Sequence, residues 1–142
     1  MQKVELLYGT LSFDGTIVTL TIKDGSLFDV KECREMIKIA TRLANNKPYV
    51  LLSDARVYFT ITPEGRKITA DKEEAPLLKA NAVIINNLPA RLIANFFGNF
   101  NKPHFKFKVF TNEKKAVHWL RAAAEEIKTD DNRKSPKLGM VI

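Results

Sequence analysis

One charged pair stands where α/β proteins commonly place a ligand. Residues 49–53 read YVLLS, a short apolar run typical of a strand that is covered on both faces. Asp54 and Arg56 follow this run, and ligands in such folds bind beyond the carboxyl ends of the strands. A ligand site, or an enzyme that uses Asp54 as a base, is one hypothesis for the pair. An aspartate at a strand end is more often a turn or capping residue, and we favour that interpretation.

The other reactive side chains form no catalytic or metal-binding pattern. Cys33 is the only cysteine, and its position on an apolar helical stripe predicts a core residue. His104 and His118 have no partner at metal-ligand spacing. The sequence also lacks a glycine-rich phosphate loop and a dinucleotide fingerprint. We therefore predict a protein that is not an enzyme and that uses neither a metal ion nor a cofactor.

The composition indicates a single globular domain. The chain has 142 residues, of which 45% are apolar and 27% are charged, and this length can bury one good core. No apolar run approaches the roughly 18 residues that a membrane-spanning helix needs. The N-terminus shows no signal-peptide pattern, and a single cysteine fits a reducing compartment. We predict a cytoplasmic protein without a membrane span.

The segment RLIANFFGNFNKPHFKFKVF, residues 91–110, combines phenylalanine with basic residues. Exposed aromatic rings beside cations would suit single-stranded nucleic acid. Helical spacing over residues 88–100, however, gathers the large apolar side chains on one arc and leaves the polar ones on the other side. Alternation over residues 105–109 likewise separates the phenylalanines from the lysines. We predict that every phenylalanine here except Phe110 faces the core and that no specific nucleic acid is bound.

The polar side of this predicted helix carries Arg91, Asn95 and Asn99, which recur every four residues, and Lys102 continues their direction. An ordinary solvated stripe is the simpler interpretation. The functional alternative is a docking surface for an acidic partner or for a second copy of the chain, because an arginine can anchor an interface.

The periodicities along the chain predict an α/β fold with a mixed, largely parallel sheet. An N-terminal antiparallel hairpin with its turn at Asp14-Gly15 is followed by about four helices that alternate with short buried strands. The helices are predicted to begin near residues 30, 63, 88 and 113. We expect one domain over residues 1–129 and a C-terminal tail over residues 130–142.

This order of elements resembles the STAS domain, the SpoIIAA-like fold of bacterial anti-sigma-factor antagonists, over most of residues 5–127. Residues 91–97 (RLIANFF), 101–103 (NKP), 110–113 (FTNE) and 116–120 (AVHWL) are similar to small STAS-like proteins of bacteria, especially of Bacteroidetes. The resemblance implies a STAS-like fold and, for the phospho-regulated members, a phosphorylated hydroxyl at the start of the second helix.

Thr62 is the nearest hydroxyl at that helix start, but the family's aspartate and second small hydroxyl residue are missing from the sequence Phe59-Thr60-Ile61-Thr62-Pro63. A phospho-switch at Thr62 is therefore one hypothesis, and a plain helix-capping role is the one that we favour.

Together the patterns and the resemblance predict a non-enzymatic STAS-like module that binds a protein partner. A homodimer is one arrangement that the sequence leaves open. The alternative is a carrier of a small ligand or lipid that uses the sheet and the third helix as a pocket, because related folds include lipid carriers. The chain is short for a large lipid cavity in addition to a core. Neither the partner nor the ligand can be identified from the sequence.

The charge distribution leads to a first testable expectation. Residues 91–121 contain seven basic residues and one acid, so this region should attract polyanions without base selectivity. Binding to duplex DNA, measured by fluorescence anisotropy, should be detectable at low salt and should fade steeply towards physiological salt because counterion release drives it. Tight binding that depends on base sequence at physiological salt would contradict this interpretation.

Overall fold

A central six-stranded sheet with helices on both faces forms the core of the protein, as seen in a computed structural model that describes residues 2–134. The strands run in the spatial order β1-β2-β3-β5-β7-β8. Their bounds are β1 Gln2–Leu6, β2 Gly9–Phe13, β3 Ile17–Ile22, β5 Tyr49–Asp54, β7 Leu78–Ile84 and β8 Lys106–Phe110. Two further strands, β4 Ser26–Phe28 and β6 Phe59–Ile61, pair with each other. The helices are α1 Val30–Leu43, α2 Pro63–Ala70, α3 Leu88–Phe96 and α4 Glu113–Lys134.

Strand pairing confirms the predicted mixed sheet. The strands β1, β2 and β3 are antiparallel, and β3, β5, β7 and β8 are parallel. Asp14 turns the chain between β2 and β3, where its side chain accepts hydrogen bonds from the amides of Thr16 and Ile17. Gly9 is required in the other hairpin, because a Cβ there would lie 2.4 Å from the Thr21 carbonyl oxygen.

Alternation along the strands produces two separate apolar layers. Val50 and Leu52 of β5 face α4, whereas Leu51 between them faces the layer that contains α1, α2 and α3. On β7 the α4 side carries Ala80 and Ala82, whose small side chains leave room for the helix to pack closely. Helix α4 therefore packs closely on one face of the sheet, and three helices cover the other face.

Helix α1 begins as its sequence predicts. Asp29 caps it, the Glu32 carboxylate accepts a hydrogen bond from the Asp29 amide, and Cys33 lies on the buried stripe. The sequence from Pro63 through RKITADKEE predicts a second helix that ends near Pro76, but α2 is shorter. It ends at Ala70, because Asp71 adopts an extended conformation and its side chain accepts a hydrogen bond from the Glu73 amide.

The C-terminal helix is longer than predicted. Helix α4 continues to Lys134, so it enters the segment 130–142 that the sequence predicts as a tail. Residues 135–142 of that predicted tail lie outside the described part of the chain. The strands β4 and β6 were not predicted, since runs of three residues are too short to show a period of two.

The prediction for α3 is wrong in one important respect. Leu92, Phe96 and Phe100 were expected in the core with the other apolar residues of this segment, but all three are exposed. The reason is that the small side chains of Ala90 and Ala94 face the protein. Helix α3 therefore contacts the core along one edge of the predicted apolar arc and not through its centre. The assignments of Phe97 and Phe105 as buried residues are confirmed.

The apolar spacing of residues 116–127 predicts that Trp119 is buried against the sheet, but it is only half-buried. It packs at the margin of the α4 layer, with its ring 5.8 Å from that of Phe110. The next residue, Leu120, is completely buried in the same layer.

These neighbours provide a paired test of the α4 layer. Leu120→Ala should lower the free energy of unfolding by about 2–5 kcal/mol, because it leaves a cavity against the sheet. Trp119→Ala should cost less, because the indole lies at the margin of the layer and is partly exposed. Urea unfolding of both variants measures the difference, and a larger loss for Trp119→Ala would contradict the arrangement of this layer.

Candidate functional site

The outer face of α3 and of the π-helical turn that follows it carries a row of four exposed apolar side chains, which we call the α3 ridge: Leu88, Leu92, Phe96 and Phe100. Their exposed fractions are 66%, 59%, 43% and 75%, respectively. The Phe96 and Phe100 rings stack in parallel, with centroids 4.6 Å apart. The Arg66 guanidinium from α2 lies over Phe96, 4.8 Å from its centroid. The ridge is thus an ordered apolar surface beside a cation.

Local sequence explains how α3 is held in this orientation. The Asn87 side chain accepts a hydrogen bond from the Ala90 amide at 2.8 Å and also donates to the Val57 carbonyl. After α3, the chain forms a π-helical turn, Phe97–Asn101. Within that turn Phe97 points inward and contacts Phe107, with ring centroids 5.0 Å apart. A capped start and an aromatic anchor at the end therefore fix the helix.

The polar stripe predicted from the sequence, Arg91, Asn95, Asn99 and Lys102, is exposed along its whole length. Arg91, Asn95 and Asn99 each precede a member of the α3 ridge, so stripe and ridge run side by side along the helix. Between residues 75 and 112 the sequence has five basic residues and no aspartate or glutamate. Lys106 is paired with Glu126 on the α4 side, so the cations beside the apolar row are Arg91 and Lys102 of the stripe and Arg66 over Phe96.

Beneath α3 lies a mostly apolar cavity of about 110 Å³, which we call the α3 cavity. Four polar residues, Ser53, Arg66, Thr69 and Asn81, contribute to its wall. Ser53 and Asn81 come from the neighbouring strands β5 and β7, and the Ser53 hydroxyl donates to Asn81 Oδ1 at 2.9 Å. The apolar wall includes Leu20, Leu51, Val83, Ile93, Phe97 and Phe107.

Asp54 and Arg56, the sequence-based ligand candidate, contact each other instead of facing an open pocket. Arg56 makes a two-pronged contact with Asp54, through Nε at 2.9 Å and Nη2 at 2.7 Å. The same Nη2 atom lies 3.0 Å from Glu113 at the start of α4. The hydrogen bonds from Arg56 lower the pKa of Asp54, and a lowered pKa makes a poor general base near neutral pH. The geometry is that of a clamp between β5 and α4.

Cys33 is a core residue, as predicted. Its side chain is fully buried and lines the α3 cavity, and burial raises the pKa of its thiol to about 12. A thiol with such a pKa is protonated at neutral pH and is therefore a poor nucleophile. In the described part of the chain, no group of three or more histidine, cysteine or acidic side chains could hold a metal ion.

Thr62 occupies the N-cap of α2, and its hydroxyl is used twice. Its oxygen accepts a hydrogen bond from the Gly65 amide at 3.0 Å, and its proton is donated to Asp29 Oδ1 at 2.8 Å. This contact joins the caps of α1 and α2 and lowers the pKa of Asp29. A phosphoryl group on Thr62 would remove that donor and place negative charge beside Asp29. The capping role explains the contacts, and phosphorylation remains a hypothesis.

The contact that joins the caps of α1 and α2 can be tested with Thr62→Val. Loss of the cap should lower the free energy of unfolding by about 0.5–2 kcal/mol at neutral pH, while Thr62→Ser should stay close to the wild type. Asp29 has a folded pKa below its usual 3.8, so its contribution is present above that value and is lost as the pH falls through the folded pKa.

The difference in the free energy of unfolding between Thr62→Val and the wild type should therefore become smaller at acid pH. Urea unfolding at several pH values measures it. A difference in the free energy of unfolding that stays constant as the pH falls through the folded pKa of Asp29 would contradict the contact between Thr62 and Asp29.

Comparisons with known proteins agree with this architecture. Within the described residues, no helix is both long enough and apolar enough to cross a membrane. No curated protein sequence matches the chain. Among solved structures, an uncharacterized protein from the DUF3478 family of Shewanella loihica PV-4, which has a SpoIIAA-like fold, is similar with a TM-score of 0.53. The alignment covers 84% of this chain and 90% of that one at 11% sequence identity.

The structural similarity confirms the predicted fold: the mixed sheet, the N-terminal hairpin and the four helices form a SpoIIAA-like domain. At this level of identity the similarity concerns the fold alone. The sequence itself matches one family over residues 11–124. The chain therefore belongs to the family described as Domain of unknown function (DUF7793).

Proposed function

We propose that this protein is a non-enzymatic STAS-like interaction module that binds an acidic amphipathic helix of a partner protein on the α3 ridge. The observation that carries the proposal is the exposure of Leu88, Leu92, Phe96 and Phe100 at intervals of four residues along α3 and the turn that follows it. Exposed apolar rows of this kind are unfavourable in water unless another surface covers them. The stacked rings also offer flat contact area at a low cost in side-chain entropy.

Charge supports an acidic partner. Arg91 and Lys102 are exposed beside the ridge, and Arg66 lies over one of its rings. A helix that presents apolar side chains every three or four residues, with carboxylates on their flanks, would match both the spacing and the charge. Cations at the margin of an interface contribute mainly to the association rate and to selectivity.

Two other occupants of the ridge are less well supported. In a symmetric dimer through α3, the two-fold axis would bring Arg91 and Lys102 close to the same cations of the second copy. An anionic membrane is usually recognised by clusters of 4–8 basic residues, whereas the exposed polar stripe contributes only Arg91 and Lys102 and is otherwise made of asparagines. Both occupants are outcomes that the experiment below distinguishes.

The test uses two synthetic amphipathic helical peptides with the same leucine spacing, one flanked by glutamates and the other by lysines. The glutamate peptide should bind at physiological salt, as measured by fluorescence anisotropy, and the lysine peptide should not. The double variant Leu92→Ser/Phe100→Ser should weaken binding by tenfold or more, because central apolar anchors dominate such interfaces. Arg91→Glu/Lys102→Glu should also weaken it and leave the melting temperature unchanged, since both groups are exposed.

Leu7→Ser is the matched control. Leu7 is 92% exposed in the turn between β1 and β2, at the opposite edge of the sheet from β8, so its replacement should not affect binding. Equal binding of both peptides, or equal losses in the control and the ridge variants, would contradict the proposal. Dimerisation of the wild type that the ridge variant abolishes would assign the ridge to a second copy, and flotation with phosphatidylserine vesicles would assign it to a membrane.

A further inference from the structure

We infer that the α3 cavity is a binding site for a small, mostly apolar molecule, about the size of one six-membered ring, that carries a hydrogen-bond acceptor. This site is separate from the α3 ridge. Ile93, Ala94 and Phe97 line the cavity from above, whereas the ridge residues lie on the outer side of the same segment. Neither inference depends on the other.

The size of the cavity defines the class of ligand. Its volume is about 110 Å³, and apolar protein cavities of roughly 150 Å³ remain dry and admit benzene. Sites for drug-sized ligands measure about 300–1,000 Å³. The cavity is thus too small for the long acyl chain of a typical lipid, which narrows the carrier hypothesis from the sequence to compact ligands.

The polar pair in the wall indicates that the cavity is more than a packing defect. Asn81 lies on β7, between β5 and β8, where an apolar residue would pack without cost. Its Oδ1 accepts the Ser53 hydroxyl, which leaves the Asn81 amide N–H groups available as donors. A few polar groups within a mostly apolar wall are the usual composition of a specific small-molecule site.

Arg66 adds a second group of donors. Its Nη1 atom donates to the Ile61 carbonyl at 2.9 Å. Its Nε atom is buried and has no hydrogen-bond partner among the described residues. A buried donor without a partner costs free energy, and this side chain lines the α3 cavity. The donors on Asn81 and Arg66 therefore favour a ligand that accepts hydrogen bonds.

The cavity is accessible from solvent. Asn81 and Val83 belong to a strand with neighbours on both sides and face the layer of three helices, yet both retain partial solvent exposure. The cavity that they line is partly open and is not enclosed by the helices. A small molecule can reach the polar pair without separation of α3 from the core.

Three one-ring probes separate the contributions of the wall. Toluene has no acceptor, acetophenone has a neutral acceptor and benzoate has an anionic one. Each is titrated into ¹⁵N-labelled full-length protein, and amide shifts are followed by NMR. Acetophenone or benzoate should shift the amides of Ser53, Asn81, Ile93 and Phe97 in a saturable manner and should bind more tightly than toluene. Tighter binding of benzoate would indicate that the acceptor of the ligand contacts Arg66. Tighter binding of acetophenone would indicate that it contacts Asn81.

Asn81→Leu keeps the approximate volume and removes the polar donor. For acetophenone, the variant should lose roughly tenfold in affinity and should bind toluene at least as well as the wild type. Asn95→Leu makes the same chemical change on the exposed side of α3 and should leave all affinities unchanged. Ala94→Met fills the cavity from above and should abolish saturable shifts.

Absence of saturable shifts at the cavity for all three probes in the wild type would overturn the inference, whether or not the variants fold. Equal shifts in the Ala94→Met variant, confirmed as folded by circular dichroism, would overturn it as well. Peptide binding at the α3 ridge is measured separately in the wild type, so failure of one site leaves the result for the other intact.

Discussion

Helix α3 contains more large apolar side chains than a single contact with a sheet can cover, and this surplus determines the character of the whole candidate site. The contact itself is made by Ala90 and Ala94, which are small, and by Phe97, which inserts between the helix and β8. Small side chains allow close approach but fill little volume. The leucines and phenylalanines on the outer row are left in water, and a space remains under the helix. The α3 ridge and the α3 cavity thus have a common origin.

The same region contains the polar groups that a well-packed core would avoid. Buried polar side chains are normally hydrogen-bonded, and exceptions require an explanation. Ser53 and Asn81 satisfy each other only in part, and Arg66 Nε is buried without a partner among the described residues. By contrast, Asp29 and Thr62 join two helix caps, and Arg56 is held by two carboxylates. Buried polar atoms of Tyr49, Asn101 and His104 also lack a partner among the described residues, so the groups beneath α3 are distinguished by their place in the cavity wall.

Much of the fold could be predicted because its signals are local. The alternation of β3, the continuous apolar run of β5 and the capping box of α1 each reflect one element and its immediate contacts. The polar stripe from Arg91 to Lys102 was correctly placed at the surface for the same reason. The clamp of Asp54 and Arg56 could not be predicted in full, because Glu113 approaches it from 57 positions away in the sequence.

The error on α3 shows where periodicity stops being informative. An apolar arc of about 140° is wider than the stripe of about 100° that a surface helix commonly buries, so the arc alone does not show which edge faces the core. The spacing of Leu88, Leu92, Phe96 and Phe100 already marked a single row, and Ala90 and Ala94 marked the row beside Phe97. The large side chains of the first row led to its prediction as the core. In the structure, the small side chains of the second row pack against the sheet instead. Where a helix offers one row of large apolar residues and one of small ones, the small row can become the contact and the large row the surface. In this protein that choice moves the candidate site from the carboxyl ends of the strands to the outer face and the underside of α3.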